Sequence, residues 1–155
     1  MLKKLFISGV TFIIISCNNH EAENKNEPSG TDTAQSATEN CYQYIHARDT
    51  IDLKMMIDNG AVTGTLAYNL YEKDKNKGTI KGTIKDDVLI AEYSFMSEGK
   101  MSTRQVAFKR DNNFMVEGYG PITEKDNKMV FSNPDSLTYN NSIKLTGINC
   151  SEIKK

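Results

Sequence analysis

From Thr50 onward apolar and polar side chains alternate with a period of two, and no apolar stripe of helical spacing and useful length interrupts them. That pattern predicts an all-β domain. Asn59-Gly60 separates the run Ile51–Ile57 from the run Val62–Leu70, and Asn-Gly is a strong two-residue hairpin signal because both positions accept a positive φ. The resulting register pairs Ile57 with Val62, Met55 with Gly64, Leu53 with Leu66 and Ile51 with Tyr68. The polar stretch Glu72–Lys77 predicts the next turn, centred at Lys75, which sets Leu70 against Ile80, Tyr68 against Gly82 and Leu66 against Ile84. Asp86-Asp87 and Glu98-Gly99 predict two further tight turns. They place Ile84 across from Leu89, Gly82 from Ala91 and Ile80 from Tyr93, then Phe95 across from Ser102, Tyr93 from Arg104, Ala91 from Val106 and Leu89 from Phe108.

A slip of one residue would turn a strand's whole apolar set to solvent. Agreement of four successive hairpins on one buried face therefore predicts an antiparallel meander. Residues 42–47, 114–120, 128–132 and 142–148 add further candidate strands, for eight or nine in all. That number suffices to close a small barrel or half-barrel and so remove exposed edges; a two-sheet sandwich is the alternative.

The inward set carries Gly64, Gly82 and Ala91 among large side chains. Small residues on neighbouring strands serve strand curvature, with Tyr68 lying over Gly82, or else leave room for a ligand. Arg104 gives the second reading its content, because its parity with Val106 and Phe108 turns a guanidinium inward beside Tyr93. A buried guanidinium without a partner is costly. Glu117 is the expected partner if the Asp111–Asn113 turn has two residues, which points Met115, Glu117 and Tyr119 inward; a three-residue turn points Val116 and Gly118 inward instead. Glu98 is the other candidate partner, and a rim position with the head group in water is the ordinary alternative for Arg104. Tyr68, Tyr93, Arg104 and Glu117 are thus the candidate ligand-binding set.

Ahead of this domain the pattern changes. Lys3-Lys4 precede an apolar run of eleven residues, Leu5–Ile15, and Ser16-Cys17 follow it. The run falls well short of the about 20 apolar residues of a spanning helix and has the build of an export signal. Ile14-Ile15-Ser16-Cys17 resembles the lipobox of bacterial lipoproteins. The resemblance implies removal of residues 1–16, diacylglycerol on the Cys17 thiol, and attachment to a membrane through that lipid. Asn18–Asn40 holds one lysine against five carboxylates, a net charge of −4, with hardly any apolar side chain. It predicts an acidic tether, residues 17–40 with the lipidated cysteine, leading to a folded domain at 41–155.

If Cys17 carries lipid, Cys41 and Cys150 remain as a pair at the two ends of the domain. The compartment implied is oxidising, so a Cys41–Cys150 disulfide is expected. Neither cysteine has a second Cys or a His at zinc-site spacing. Sixteen basic against fifteen acidic residues after residue 40 argue against a nucleic-acid surface. Of the two histidines, His20 lies in the tether and His46 has no nucleophile implied beside it, so no catalytic triad can be argued. No metal site or cofactor is expected either. Met55-Met56 point to opposite faces, which removes the one methionine pair that could suggest copper. Asp-Thr/Ser before a small or apolar residue at Thr33, Thr50 and Ser136 resembles a bacterial O-glycosylation sequon, which would place glycans there.

Lipobox, acidic tether and small β-domain together resemble small lipoproteins of Gram-negative envelopes, lipocalin-like at the level of architecture alone. The resemblance implies a protein of the cell envelope, at the outer membrane on its periplasmic face or the cell surface. The function expected is non-enzymatic: a barrel that binds a small amphiphilic ligand or an envelope partner protein. A structural or adhesive module with a packed core is the alternative.

Overall fold

The structure, a computed structural model, describes residues 37–73, 75–140 and 142–153. Residues 1–16, the expected export signal, and Cys17 and Thr33 lie outside the described residues. Among the described residues ten strands occur: β1 (Thr38–His46), β2 (Asp49–Asp58), β3 (Ala61–Asn69), β4 (Asn76–Lys85), β5 (Val88–Ser97), β6 (Lys100–Asp111), β7 (Phe114–Gly118), β8 (Ile122–Lys125), β9 (Lys128–Phe131) and β10 (Lys144–Ile148). Strands β1 to β7 pair in chain order, and β10 pairs with both β7 and β1. The sheet thereby closes into an eight-stranded antiparallel barrel, with the β8–β9 hairpin as an addition to its wall.

The turns explain why the meander holds its register. Asn59-Gly60, Asp86-Asp87, Glu98-Gly99 and Asp126-Asn127 all carry positive φ at both central positions, the geometry whose twist matches two antiparallel strands. Ile51↔Tyr68, Ile80↔Tyr93, Tyr93↔Arg104 and Leu89↔Phe108 are observed as expected. The β3–β4 register differs. Tyr68 faces Asn76, Leu66 faces Gly78 and Val62 faces Gly82, because a tight turn with Glu72 at positive φ and a Lys73 N–H donating to the Leu70 carbonyl reverses the chain earlier. Asn76 and Lys77 are consequently strand, not loop. The displacement is an even number of residues, so every side chain keeps its face.

Two further boundaries need correction. Strand β1 begins at Thr38, which pairs with Ile57, so Thr38–Asn40 belong to the domain and not to the tether. Strand β8, with all four residues exposed, has no apolar alternation by which a sequence reading could find it.

Inward positions fill the barrel: Ile51, Leu53, Met55, Leu66, Leu89, Tyr93, Phe108, Met115 and Leu145 are wholly inaccessible. The inward glycines leave no void. A Cβ at Gly64 would overlap the Lys54 carbonyl oxygen, and one at Gly82 would overlap Ile90 and Ala91. They allow neighbouring backbones to close in where the sheet coils, the curvature account of the small residues, though Tyr68 does not lie across from Gly82.

Cys41 and Cys150 form a disulfide with their Cα atoms 5.1 Å apart. It joins β1 to the short 3₁₀ turn Cys150–Glu152 just beyond β10, at the seam where first and last strands meet. With the two cysteines 109 positions apart in the chain, loop-closure entropy gives the bridge about 4 to 5 kcal/mol. Urea unfolding of the full chain with and without reductant is expected to differ by several kcal/mol (about 3 to 5), and the Cys41→Ala/Cys150→Ala variant should match the reduced protein.

Candidate functional site

Strand β6 is paired with β5 along ten residue pairs, from Lys100 to Lys109, but with β7 only from Ala107 to Asp111. Beyond Ala107↔Gly118 the two strands part. The chain leaves the barrel wall at Tyr119, which forms a bridge with Thr138, and the β8–β9 hairpin docks in its place through a single parallel pairing, Arg104↔Met129. The hairpin is held from outside the barrel by a Phe131 N–H donating to Gln105 Oε1 at 2.9 Å and a Lys128–Glu92 ion pair at 2.7 Å. Between β6, the end of β7 and this hairpin lies a cleft of about 360 Å³ lined by Arg104, Val106, Glu117, Tyr119, Ile122, Met129 and Phe131, among others.

The Asn112-Asn113 turn has two residues, with Asp111 facing Phe114 and Phe108 facing Glu117. Met115 and Glu117 therefore point inward, and both are buried. Val116 and Gly118 are buried as well, on the outer face, where the Tyr139 ring packs against Gly118.

The expected Arg104–Glu117 ion pair does not form, and Glu98 makes none with any described residue either. Two tyrosines reach the carboxylate instead: Tyr68 O–H donates to Glu117 Oε1 at 2.6 Å and Tyr119 O–H donates to Oε2 at 2.9 Å. The Arg104 guanidinium lies 5.3 Å from the centroid of the Tyr68 ring, 5.6 Å from Tyr93 and 5.5 Å from Phe95. Ring faces attract a cation, but they do not accept hydrogen bonds from its in-plane N–H groups as oxygen does.

Three buried polar atoms at this end of the barrel accordingly have no partner: Arg104 Nε, Tyr93 Oη and Asn76 Oδ1. Unpartnered buried polar groups are rare in folded proteins, and each calls for a reason.

Burial is the main cause that raises the tyrosine pKa values. It pushes Tyr93 up to about 12, with the Arg104 charge acting in the opposite direction. Burial and then the Glu117 charge hold Tyr68 well above the ordinary phenol range, and the same two causes raise Tyr119.

The candidate set Tyr68, Tyr93, Arg104 and Glu117 is thus brought to one place, but only Arg104 and Glu117 line the cleft, with the two tyrosines behind them. Phe95 belongs to the same cluster by parity along β5, a signal present in the sequence, whereas Asn76 joins it through the earlier β3–β4 reversal that sets it across from Tyr68. Ile122, Met129 and Phe131 escaped the sequence reading because a parallel docking onto β6 leaves no local pattern. Elsewhere, Thr50 is half-buried in β2, while Ser136 and His46 are exposed. Met55 is buried and Met56 lies on the outer face. Among the described residues no group of three or more His, Cys, Asp or Glu side chains is placed to hold a metal.

The buried phenols carry a pH dependence. A phenol whose pKa is raised by folding favours the native state while neutral, so its contribution is complete below pH 10 and is lost as pH rises through the raised value. For Tyr93 that window runs from 10 to about 12. Alkaline unfolding followed by circular dichroism should start above pH 10, and Tyr93→Phe should move its midpoint to higher pH; an unchanged midpoint would show that Tyr93 ionises freely in the folded state.

Comparison with family models, with curated proteins and with solved structures gives no significant match to this chain.

Proposed function

We propose that this chain is a non-enzymatic, lipid-anchored protein of the cell envelope whose barrel binds a small amphiphilic ligand in the cleft beside Arg104. The observation that carries the reading is the combination of an uncompensated guanidinium, its Nε buried without an acceptor, with a cleft whose other walls are Val106, Ile122, Met129 and Phe131. A ligand site commonly has this composition, mostly apolar with a few polar groups that fix orientation. Ile122 and Met129 are 56% and 38% exposed, apolar surface that a bound hydrocarbon would cover. The cleft volume of about 360 Å³ falls near the lower limit for small-molecule sites.

The anchor half of the proposal stands on Ile14-Ile15-Ser16-Cys17 and on a disulfide that suits an oxidising compartment. The packed core below the cleft also suits the second reading, a structural or adhesive module that acts through its outer surface.

Two measurements test the halves separately. Cells expressing the full chain and fed an alkyne-tagged palmitate should label it, and Cys17→Ser should abolish the label and release the protein from membranes; label retained in that variant would refute anchoring at Cys17. Titration of the full chain with 1-N-phenylnaphthylamine, a neutral apolar fluorophore, should give saturable enhancement at one site. Met129→Asp, a substitution at the cleft surface, should weaken it by about tenfold or more, the consequence of placing a charge against hydrocarbon. Enhancement that never saturates, or that ignores Met129→Asp, would leave the packed-module reading.

A further inference from the structure

We infer that the head group received at Arg104 is a carboxylate borne by a single hydrocarbon chain, an inference that rests on the amphiphile reading above. Arg104 supplies the first reason. Its guanidinium faces three aromatic rings, makes no ion pair among the described residues, and keeps its Nε–H buried without an acceptor. The edge of a guanidinium that carries Nε and one terminal nitrogen presents two parallel N–H groups, the fork that a planar carboxylate accepts with both oxygens.

Tyr93 supplies the second. Its residue is wholly inaccessible, its hydroxyl has no partner, and it faces Arg104 across the β5–β6 pairing. Burial together with the raised phenol pKa keeps that hydroxyl neutral, so it sets no negative charge behind the guanidinium and leaves the Arg104 charge for what enters the cleft.

Glu117 supplies the third, by limiting charge. Both of its oxygens already accept a tyrosine hydroxyl, and it lines the same cleft as Arg104. The site therefore holds one fixed positive and one fixed negative charge. A monoanion satisfies the guanidinium, whereas a dianion such as a phosphate monoester would set its second charge against Glu117 in a poorly hydrated place. A cation would meet Arg104 itself. The space beyond the head group, walled by Val106, Ile122, Met129 and Phe131 in about 360 Å³, has room for one chain of moderate length rather than for a two-chain lipid.

The test uses the full chain and three probes of equal chain length, decanoate, decanol and decyl phosphate, titrated calorimetrically at pH 8 below their micellar concentrations. Decanoate is expected to bind about tenfold or more tightly than decanol, the fold-change of one charge-assisted hydrogen-bonded pair, and more tightly than decyl phosphate. Arg104→Gln should bring decanoate to the level of decanol, and Arg104→Lys, which keeps the charge and loses the fork, should recover only part of the difference. Equal binding of decanoate and decanol by the unmodified protein, a comparison that needs no variant to fold, would overturn the carboxylate assignment while leaving the amphiphile reading in place. Tighter binding of decyl phosphate than of decanoate would likewise overturn it. Binding of none of the three would remove the amphiphile reading and this inference with it.

Discussion

A β-sheet that closes on itself must satisfy the backbone of its last strand with that of its first, and here one part of the wall lacks a strand long enough to do so. Strand β6 runs from Lys100 to Asp111, while β7 pairs with it only from Ala107 to Asp111 and then turns away. Unpaired backbone groups on the rest of β6 would be costly if left dry. The chain answers with a hairpin whose backbone pairs with β6 at one position, Arg104↔Met129, and with side-chain fastenings to Gln105 and Glu92. That incomplete repair makes the cleft. From β1 to β6 the strands pair along nearly their whole length, whereas β10 meets β7 and β1 through three residue pairs each.

The same interruption sets the electrostatics. Below it, inward positions hold apolar side chains that need no partner, as far as Arg110, whose Nε is again buried without one. Level with it, the inward positions are Tyr68, Asn76, Tyr93, Arg104 and Glu117, which a sealed core of this size would have to pair one with another. They are paired only in part. The two tyrosine hydroxyls nearest the carboxylate take it, and the guanidinium is left with ring faces. Two opposite charges within one cleft, each held by aromatic side chains rather than by the other, make a site of no net charge that still presents a directed donor. Such an arrangement discriminates by the number and sign of charges on what enters.

The disulfide acts two strand pairings away from the cleft, where β10 meets β1. Strand β1 pairs with β10 through only three residue pairs, Cys41↔Ile148 to Gln43↔Thr146, and β10 is separated from β7 along the chain by the β8–β9 hairpin and the segment that returns over the outer face. This is the closure with the longest loop, which is where a covalent link contributes most. The wall is thus held covalently where pairing is short and left open where it is interrupted.

Much of this was legible from sequence because it depends on local rules. The two-residue turns at Asn59, Asp86 and Glu98 dictate register, the period of two dictates which side chains enter the barrel, and both survived even the β3–β4 turn, whose displacement was an even number of residues. The inward places of Tyr68, Tyr93 and Arg104 followed from parity, while that of Glu117 waited on the length of the Asn112-Asn113 turn. Parity says which face a side chain takes, but not which neighbour it bonds. That Glu117 goes to Tyr68 and Tyr119, that Arg104 meets rings, and that Ile122, Met129 and Phe131 wall the cleft were decided by tertiary structure, since each depends on where β7 leaves the wall and where the β8–β9 hairpin lands. Those contacts join residues far apart in the chain, so no local periodicity encodes them.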